Sequence, residues 1–96
     1  MARSKQEISA QIKWLRDNKP CIPRVDYLGR DNWSAIEAQV TVLQEGLDED
    51  DIQENCDSGE WTEHQCAHAE EVLLWIDGDD EYQPNATHNW GNIVAR

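Results

Sequence analysis

The segment that decides the fold runs from Trp61 to Gly78 and has the sequence WTEHQCAHAEEVLLWIDG. Thr62 and Gln65 have the T-x-x-Q spacing of a capping box, which predicts that a helix begins here. Apolar residues then recur every three or four positions, and they predict one apolar face: Cys66, Ala69, Leu73 and Ile76, with Val72 and Leu74 beside them. Gly78 lies where a helix commonly ends on a left-handed residue. We therefore expect a core helix near residues 62–77.

The N-terminal third predicts a first helix near residues 4–18. Ser4 and Glu7 form an S-x-x-E capping box. Pro20 ends the helix, because proline cannot continue a helix and also restricts the residue before it. Residues 19–30 combine prolines, a glycine and scattered apolar residues, so we expect an ordered loop that crosses the bundle.

Two more helices are expected in the middle of the chain, near residues 32–45 and 48–56. The sequence leaves three candidate starts for the first of them: Asp31, Asn32 and Ser34. Its apolar stripe has the same spacing as that of residues 62–77 and consists of Trp33, Ile36, Val40 and Leu43. Matching stripes favour an antiparallel pair. Asp48 is a good cap for the shorter helix, and Gly46 separates the two.

These elements predict an all-α fold, a small four-helix domain with an ordered crossing loop and a docked C-terminal tail. The 96 residues are enough for one modest core, so residues 1–96 are expected to form a single domain. The tail, residues 79–96, carries three apolar side chains that could dock it on the bundle: Trp90, Ile93 and Val94.

The formal net charge of −12 is divided unevenly along the chain. Residues 1–30 hold seven of the eight basic residues and three acids, a net charge of +4, whereas residues 31–96 carry −16. One explanation is intramolecular, with the basic third packed beside the acidic remainder. The other is an acidic surface that binds a basic protein. Direct nucleic-acid binding is disfavoured, because most of the surface would repel phosphates.

The acids are densest between Glu45 and Glu60, a stretch that contains no basic residue. We call these eight side chains the acidic face: Glu45, Asp48, Glu49, Asp50, Asp51, Glu54, Asp57 and Glu60. In a helix with a rise of about 1.5 Å per residue they would average roughly 3 Å apart along the axis. One DNA strand carries a charge about every 3.4 Å. A merely solvated surface explains the same residues, since capping and the helix dipole favour several of them.

Three cysteines, Cys21, Cys56 and Cys66, make an odd number without close spacing. The chain opens on a polar segment rather than a signal peptide, and no apolar run approaches membrane length. We therefore expect reduced cysteines, a cytoplasmic protein and no membrane association.

Metal and catalytic motifs are weak. His64 and His68 have a spacing that could chelate a metal, but Cys66 between them points elsewhere, so a solvated histidine pair is expected. The calcium-like start Asp77-x-Asp79-x-Glu81 lacks the required glycine and final glutamate, with Tyr82 and His88 in those places. Phosphate loops, nucleophile elbows and His-Glu-x-x-His motifs are missing from the sequence. We expect no metal, no cofactor and no enzymatic activity.

Several stretches resemble small acidic accessory proteins of temperate phages and prophages: residues 35–43, the segment GLDEDDI at 46–52, Ala67-x-Ala69, and WIDG at 75–78. The resemblance covers about half of the chain and implies a non-enzymatic protein made inside a bacterium. Such proteins include inhibitors of host restriction, CRISPR or recombination machinery, and some are DNA mimics. No contact residue of a particular inhibitor can be transferred, because no motif specific to one is present.

The sequence thus predicts a protein–protein interaction module, an inhibitor or modulator of a basic, nucleic-acid-handling host protein, which it binds through the acidic face. The alternative is a structural or dimerising helical protein whose acidity serves only solubility. A metal-dependent regulator using His64 and His68 is a third class. Self-association is left open.

Overall fold

A computed structural model describes residues 2–79, and this part of the chain contains four α-helices and no β-strand. The helices are α1 (Lys5–Asn18), α2 (Asn32–Glu45), α3 (Glu49–Ser58) and α4 (Glu63–Ile76), with a 3-10 turn at Lys19–Cys21. The predicted all-α, four-helix fold is confirmed, and the helix ends lie within two residues of the predicted ones. The predicted docking of the C-terminal tail concerns residues outside the described part, Asp79 excepted.

Side-chain caps explain where the helices begin. In three of them the side chain of the cap accepts from the backbone N–H of the third helical residue, and the side chain of that residue accepts from the backbone N–H of the cap: Ser4 with Glu7, Asp48 with Asp51, and Thr62 with Gln65. For α2 the cap is Asp31, whose carboxylate accepts from the backbone N–H groups of Trp33 and Ser34. Gly46 ends α2 at a φ of 66°, a left-handed conformation that suits glycine.

Helices α2 and α4 form the most extensive contact, and they run parallel. Three hydrogen bonds join them, and their residues follow the same order along both helices: Asn32 with His64 (2.7 Å), Ser34 with Gln65 (3.2 Å), and Gln39 with His68 (2.9 Å). The antiparallel prediction is therefore wrong. Apolar spacing defines which face of a helix is buried but not its direction, and α3 returns the chain so that α4 starts beside the start of α2.

The core lies between these two helices and receives side chains from every element. Its buried members include Leu15, Ile22, Ile36, Val42, Ile52, Ala69, Val72 and Trp75. The buried face of α4 is rotated about the helix axis from the predicted one. Val72 and Trp75 are buried, Leu73 is partly buried, and Leu74 is exposed. The buried stripe of α4 also contains His64 and His68, so counting apolar residues alone gives the wrong face.

The outer helices pack on different members of the central pair. Helix α1 packs mainly on α2 and helix α3 mainly on α4, and in residues 2–79 no extensive contact forms between α1 and α3. The crossing loop is ordered, as predicted, and the indole N–H of Trp33 donates to the backbone oxygen of Ile22 at 3.0 Å. Within the described residues, none of the helices combines the length and apolar character needed to cross a membrane.

Candidate functional site

The acidic face is built around α3, whose first turn is acidic for a local reason. The Asp48 carboxylate accepts from the backbone N–H of Asp51 at 3.0 Å, and the Asp51 carboxylate accepts from the N–H of Asp48 at 3.2 Å. Glu49 and Asp50 lie in the same turn, where the helix dipole favours negative charge by about 0.3–1 kcal/mol each. Part of the acidic face therefore stabilises the start of its own helix.

Three acids of α3 lie on the side of the helix that faces away from the protein. Ile52 is 1% exposed and anchors the inner side of the helix. At about 100° per residue, Asp50, Glu54 and Asp57 lie roughly 140–200° from it, on the outer side. All eight residues of the acidic face are exposed, including Glu45 at the end of α2 and Glu60 after α3. They do not form one continuous helix, because Gly46 and Gly59 adopt positive φ at both ends of α3.

Within residues 2–79, no Lys or Arg side chain forms an ion pair with this surface. The Lys and Arg ion pairs of residues 2–79 lie elsewhere: Arg3–Glu7, Lys13–Asp17, Lys19–Glu37 and Arg30–Asp26. The basic N-terminal third thus pairs with acids of α1, α2 and its own loop. Among the described residues, close pairing of the basic third with acids therefore does not extend to α3, whose acids have no Lys or Arg ion-pair partner there.

Helix α3 is attached to α4 by a disulfide bond as well as by Ile52. Cys56 and Cys66 are bridged, with their Cα atoms 6.0 Å apart, and Cys21 is a free, exposed thiol. The expectation of three reduced cysteines is therefore wrong for this pair. The turn at Gly59 brings residues ten positions apart together, and Cys66 faces α3 rather than the α2–α4 core. Spacing in the sequence gave no indication of this contact.

A buried polar cluster lies at the opposite side of α4. His64 and His68 are 8% and 7% exposed, so the prediction of a solvated histidine pair is wrong. Their rings stack edge to face with centroids 4.6 Å apart. Asn32 donates from Nδ2 to the backbone oxygen of Pro23 at 3.0 Å, which leaves Oδ1 to accept from Nε2 of His64. The cluster thereby ties the crossing loop, α2 and α4 together.

Asp26 and Arg30 complete the cluster on the loop side. Oδ2 of Asp26 lies 2.6 Å from Nε of Arg30 and 4.0 Å from Nε2 of His64. Burial alone would raise the pKa of Asp26, but hydrogen bonds from the backbone and side chain of Arg30 and the N–H of Leu28 outweigh it and lower the pKa. Asp26 is therefore an ionised group held inside the loop.

Both histidines are held neutral. Burial lowers the pKa of His64, and the positive charge of Arg30 adds to the effect. Burial, followed by the neighbouring His64 and Arg30, lowers the pKa of His68 to about 4. A sequence signal for this cluster existed in the i, i+4, i+8 spacing of His64, His68 and Val72, which continues the buried stripe of α4.

The cluster opens onto a cleft of about 360 Å³ between the crossing loop and the start of α4, lined by Gly29, Arg30, Asp31, Thr62, Glu63 and His64. In the described part of the chain, His, Cys, Asp and Glu side chains form no group of three or more placed to hold a metal ion. The calcium-like segment reaches Glu81, outside that part.

The eight predicted binding residues are all exposed on and around α3, whereas His64 and His68 lie in the buried cluster on the opposite side of α4. The resemblance to phage accessory proteins stays a prediction. The sequence matches no protein-family model, and neither a curated protein nor a solved structure with significant similarity to this chain was found.

Proposed function

We propose that this protein is a non-enzymatic binding module that docks a basic protein surface on its acidic face. The observation that carries the proposal is the exposure of all eight acids, together with the lack of any Lys or Arg ion pair to them in residues 2–79. Uncompensated charge of one sign raises the local concentration of oppositely charged partners and speeds their association.

The charge density of α3 favours a partner that normally binds phosphates. Asp50 and Asp57 are seven residues apart, about 10 Å along the helix axis, and this length holds four acids: Asp50, Asp51, Glu54 and Asp57. One DNA strand presents about three phosphates over the same length. We therefore propose a nucleic-acid-handling protein as the partner class, with inhibition or modulation of that protein as the consequence, as the phage resemblance implies.

A capture experiment tests the proposal. Immobilised wild type is compared with a face variant, Glu54→Lys/Asp57→Lys, and with a control variant, Asp17→Lys/Glu37→Lys. Each variant changes the formal net charge of the chain from −12 to −8, so the two are matched in charge. Neither face residue lies in the first turn of α3 or in a capping box, so the helix start is retained. We expect wild type and control to retain the same basic proteins from a cell extract, and the face variant to lose them.

The alternative, in which the acidity serves only solubility, predicts a different result. All three proteins would then retain the same set of partners, or none, and the two variants would differ from wild type equally in solubility. That outcome would contradict a binding role for the acidic face.

A further inference from the structure

Helix α3, which carries most of the acidic face, has few contacts with the rest of the protein. Ile52 is its one buried residue, whereas α2 is buried along most of its length. Within residues 2–79, α4 is the only helix with which α3 makes an extensive contact. A segment with so little buried apolar surface belongs to the part of a structure that opens most easily.

No hydrogen bond or ion pair joins α3 to α4 among the described residues. The side chains of α3 bond within the helix or to its own cap, as Gln53 does to Asp57. Its other bonds reach no further than the turn that follows, where the backbone N–H of Trp61 donates to the oxygen of Asn55 at 3.2 Å. The attachment of α3 to α4 therefore consists of apolar packing and the disulfide bond.

The disulfide lies one helical turn beyond the buried anchor of α3. Cys56 follows Ile52 by four residues, so both side chains lie on the same face of the helix. Cys56 and Cys66 are both partly exposed, which leaves the bridge within reach of a small reductant. Helix α3 has ten residues, and isolated helices shorter than roughly 12–15 residues are marginal in water. Without the bridge, the packing of Ile52 has to hold the helix in place.

From these contacts we infer that the Cys56–Cys66 bridge is a redox switch that fixes the acidic face when closed and releases it when reduced. A dithiol breaks the Sγ–Sγ bond through a mixed disulfide. The two cysteines gain two electrons and two protons, and the dithiol is oxidised to a disulfide. Leu47 and Trp61, on either side of α3, stay packed against the core. The segment between them becomes a mobile acidic loop with fixed ends.

The effect on binding rests on the function proposed above. The acids keep their charge when the bridge opens, so the attraction that speeds association with a basic partner persists. A mobile segment loses conformational entropy when it is bound, and this loss weakens the complex. Reduction therefore speeds dissociation and leaves the association rate little changed. The bridge opens in a reducing compartment and persists in an oxidising one.

Hydrogen–deuterium exchange of the full chain tests the switch without any partner. The sample is Cys21→Ser, which lacks the free thiol and keeps the bridge, measured oxidised and after reduction with dithiothreitol. Protection of the α3 amides should fall at least tenfold more than that of the α2 amides, and reoxidation should restore it. Equal losses in α2 and α3 would show that the bridge adds only general stability, which overturns the inference. Unchanged protection of α3 overturns it as well.

A binding measurement tests the consequence for the acidic face. The probe is the basic protein retained most strongly in the capture experiment. Cys21→Ser is the matched control for Cys21→Ser/Cys56→Ser/Cys66→Ser, so no reductant acts on the probe. Dissociation from the bridge-free variant should be at least fivefold faster. Equal dissociation rates would overturn the regulatory role, even if α3 is released. Failure of both proteins to retain any basic protein would contradict the proposed function, and exchange would then decide by itself whether the bridge holds α3.

Discussion

Nε2 of His64 lies 2.7 Å from Oδ1 of Asn32, and this buried hydrogen bond holds the start of α4 beside the start of α2. It is one of three hydrogen bonds that pair α2 with α4 in parallel order. That order requires α3 to return along the outside of α4, and the outer side of α3 is where the acidic face is displayed. The hydrogen bond between Asn32 and His64 thus belongs to the packing that leaves the outer side of α3 exposed, although neither residue lies on the acidic face.

Asn32→Ala should lower the free energy of unfolding by about 1–3 kcal/mol, because it leaves the N–H of His64 and the backbone oxygen of Pro23 buried without their present partner. Urea unfolding measures the change. Asn55→Ala is the control, since Asn55 lies partly exposed on α3, and its loss should change stability by less than about 0.5 kcal/mol. Equal effects of the two substitutions would contradict a structural role for the Asn32–His64 contact.

Stability should fall as the pH drops from about 6.5 towards 4. The pKa of His68 is about 4 in the folded protein and about 6.5 when unfolded, so only the unfolded chain gains the proton in this range. The expected loss from this residue is roughly 2 kcal/mol between about pH 7 and pH 5. Above about pH 7.5 the residue is neutral in both states and its contribution is complete.

Comparing wild type with His68→Gln isolates this contribution, because His64, Arg30 and Asp26 surround the residue in both proteins. The pH dependence of unfolding should be shallower in the variant between about pH 7 and pH 5. Below about pH 4 the carboxylates with lowered pKa, Asp26 and Asp31, add a further loss in both proteins. Identical slopes above that range would show that His68 titrates normally.

The disulfide between Cys56 and Cys66 should contribute about 2–3 kcal/mol, the value expected for closing a loop of this length in the unfolded chain. Cys56→Ser/Cys66→Ser, or reduction of wild type, should lower the melting temperature accordingly. Cys21→Ser should have no such effect, because Cys21 is free and exposed. If reducing agent leaves the melting temperature of wild type unchanged, α3 does not depend on the bridge.

Val72→Ala should cost about 2–3 kcal/mol, since Val72 is fully buried between α4 and α2 and its removal leaves a cavity. Val25→Ala is the same chemical change at a half-exposed position and should cost much less. Thermal unfolding of the two variants at low protein concentration makes the comparison. A larger effect at Val25 would contradict the assignment of the buried face of α4.

Helix positions could be predicted because they depend on neighbours in sequence. Capping boxes such as Thr62 with Gln65 are local, and the structure confirms them. The packing of α4 could not be predicted in this way, because its buried face is set by contacts with α2 that use polar atoms. Gln39 donates to the backbone oxygen of His68 at 2.9 Å, so a position that looks unsuitable for a core is fully buried.

The acidic face was predictable as a run of acids, but not its separation from the basic residues. Whether Lys and Arg side chains offset that charge depends on which helices are neighbours. The sequence leaves this open, and the packing of α1 on α2 answers it for the described residues. The Cys56–Cys66 bridge could not be predicted for a related reason, since it depends on the tight turn at Gly59.

The measurement that tests the central claim most directly is the association rate constant with a captured basic partner, for wild type, Glu54→Lys/Asp57→Lys and Asp17→Lys/Glu37→Lys, at about 50 and about 300 mM salt. We predict that wild type and control bind at similar rates, which fall about tenfold or more at the higher salt concentration. The face variant should bind at least tenfold more slowly at low salt, with dissociation little changed. Association rates that are the same for all three proteins and insensitive to salt would contradict a binding role for the acidic face.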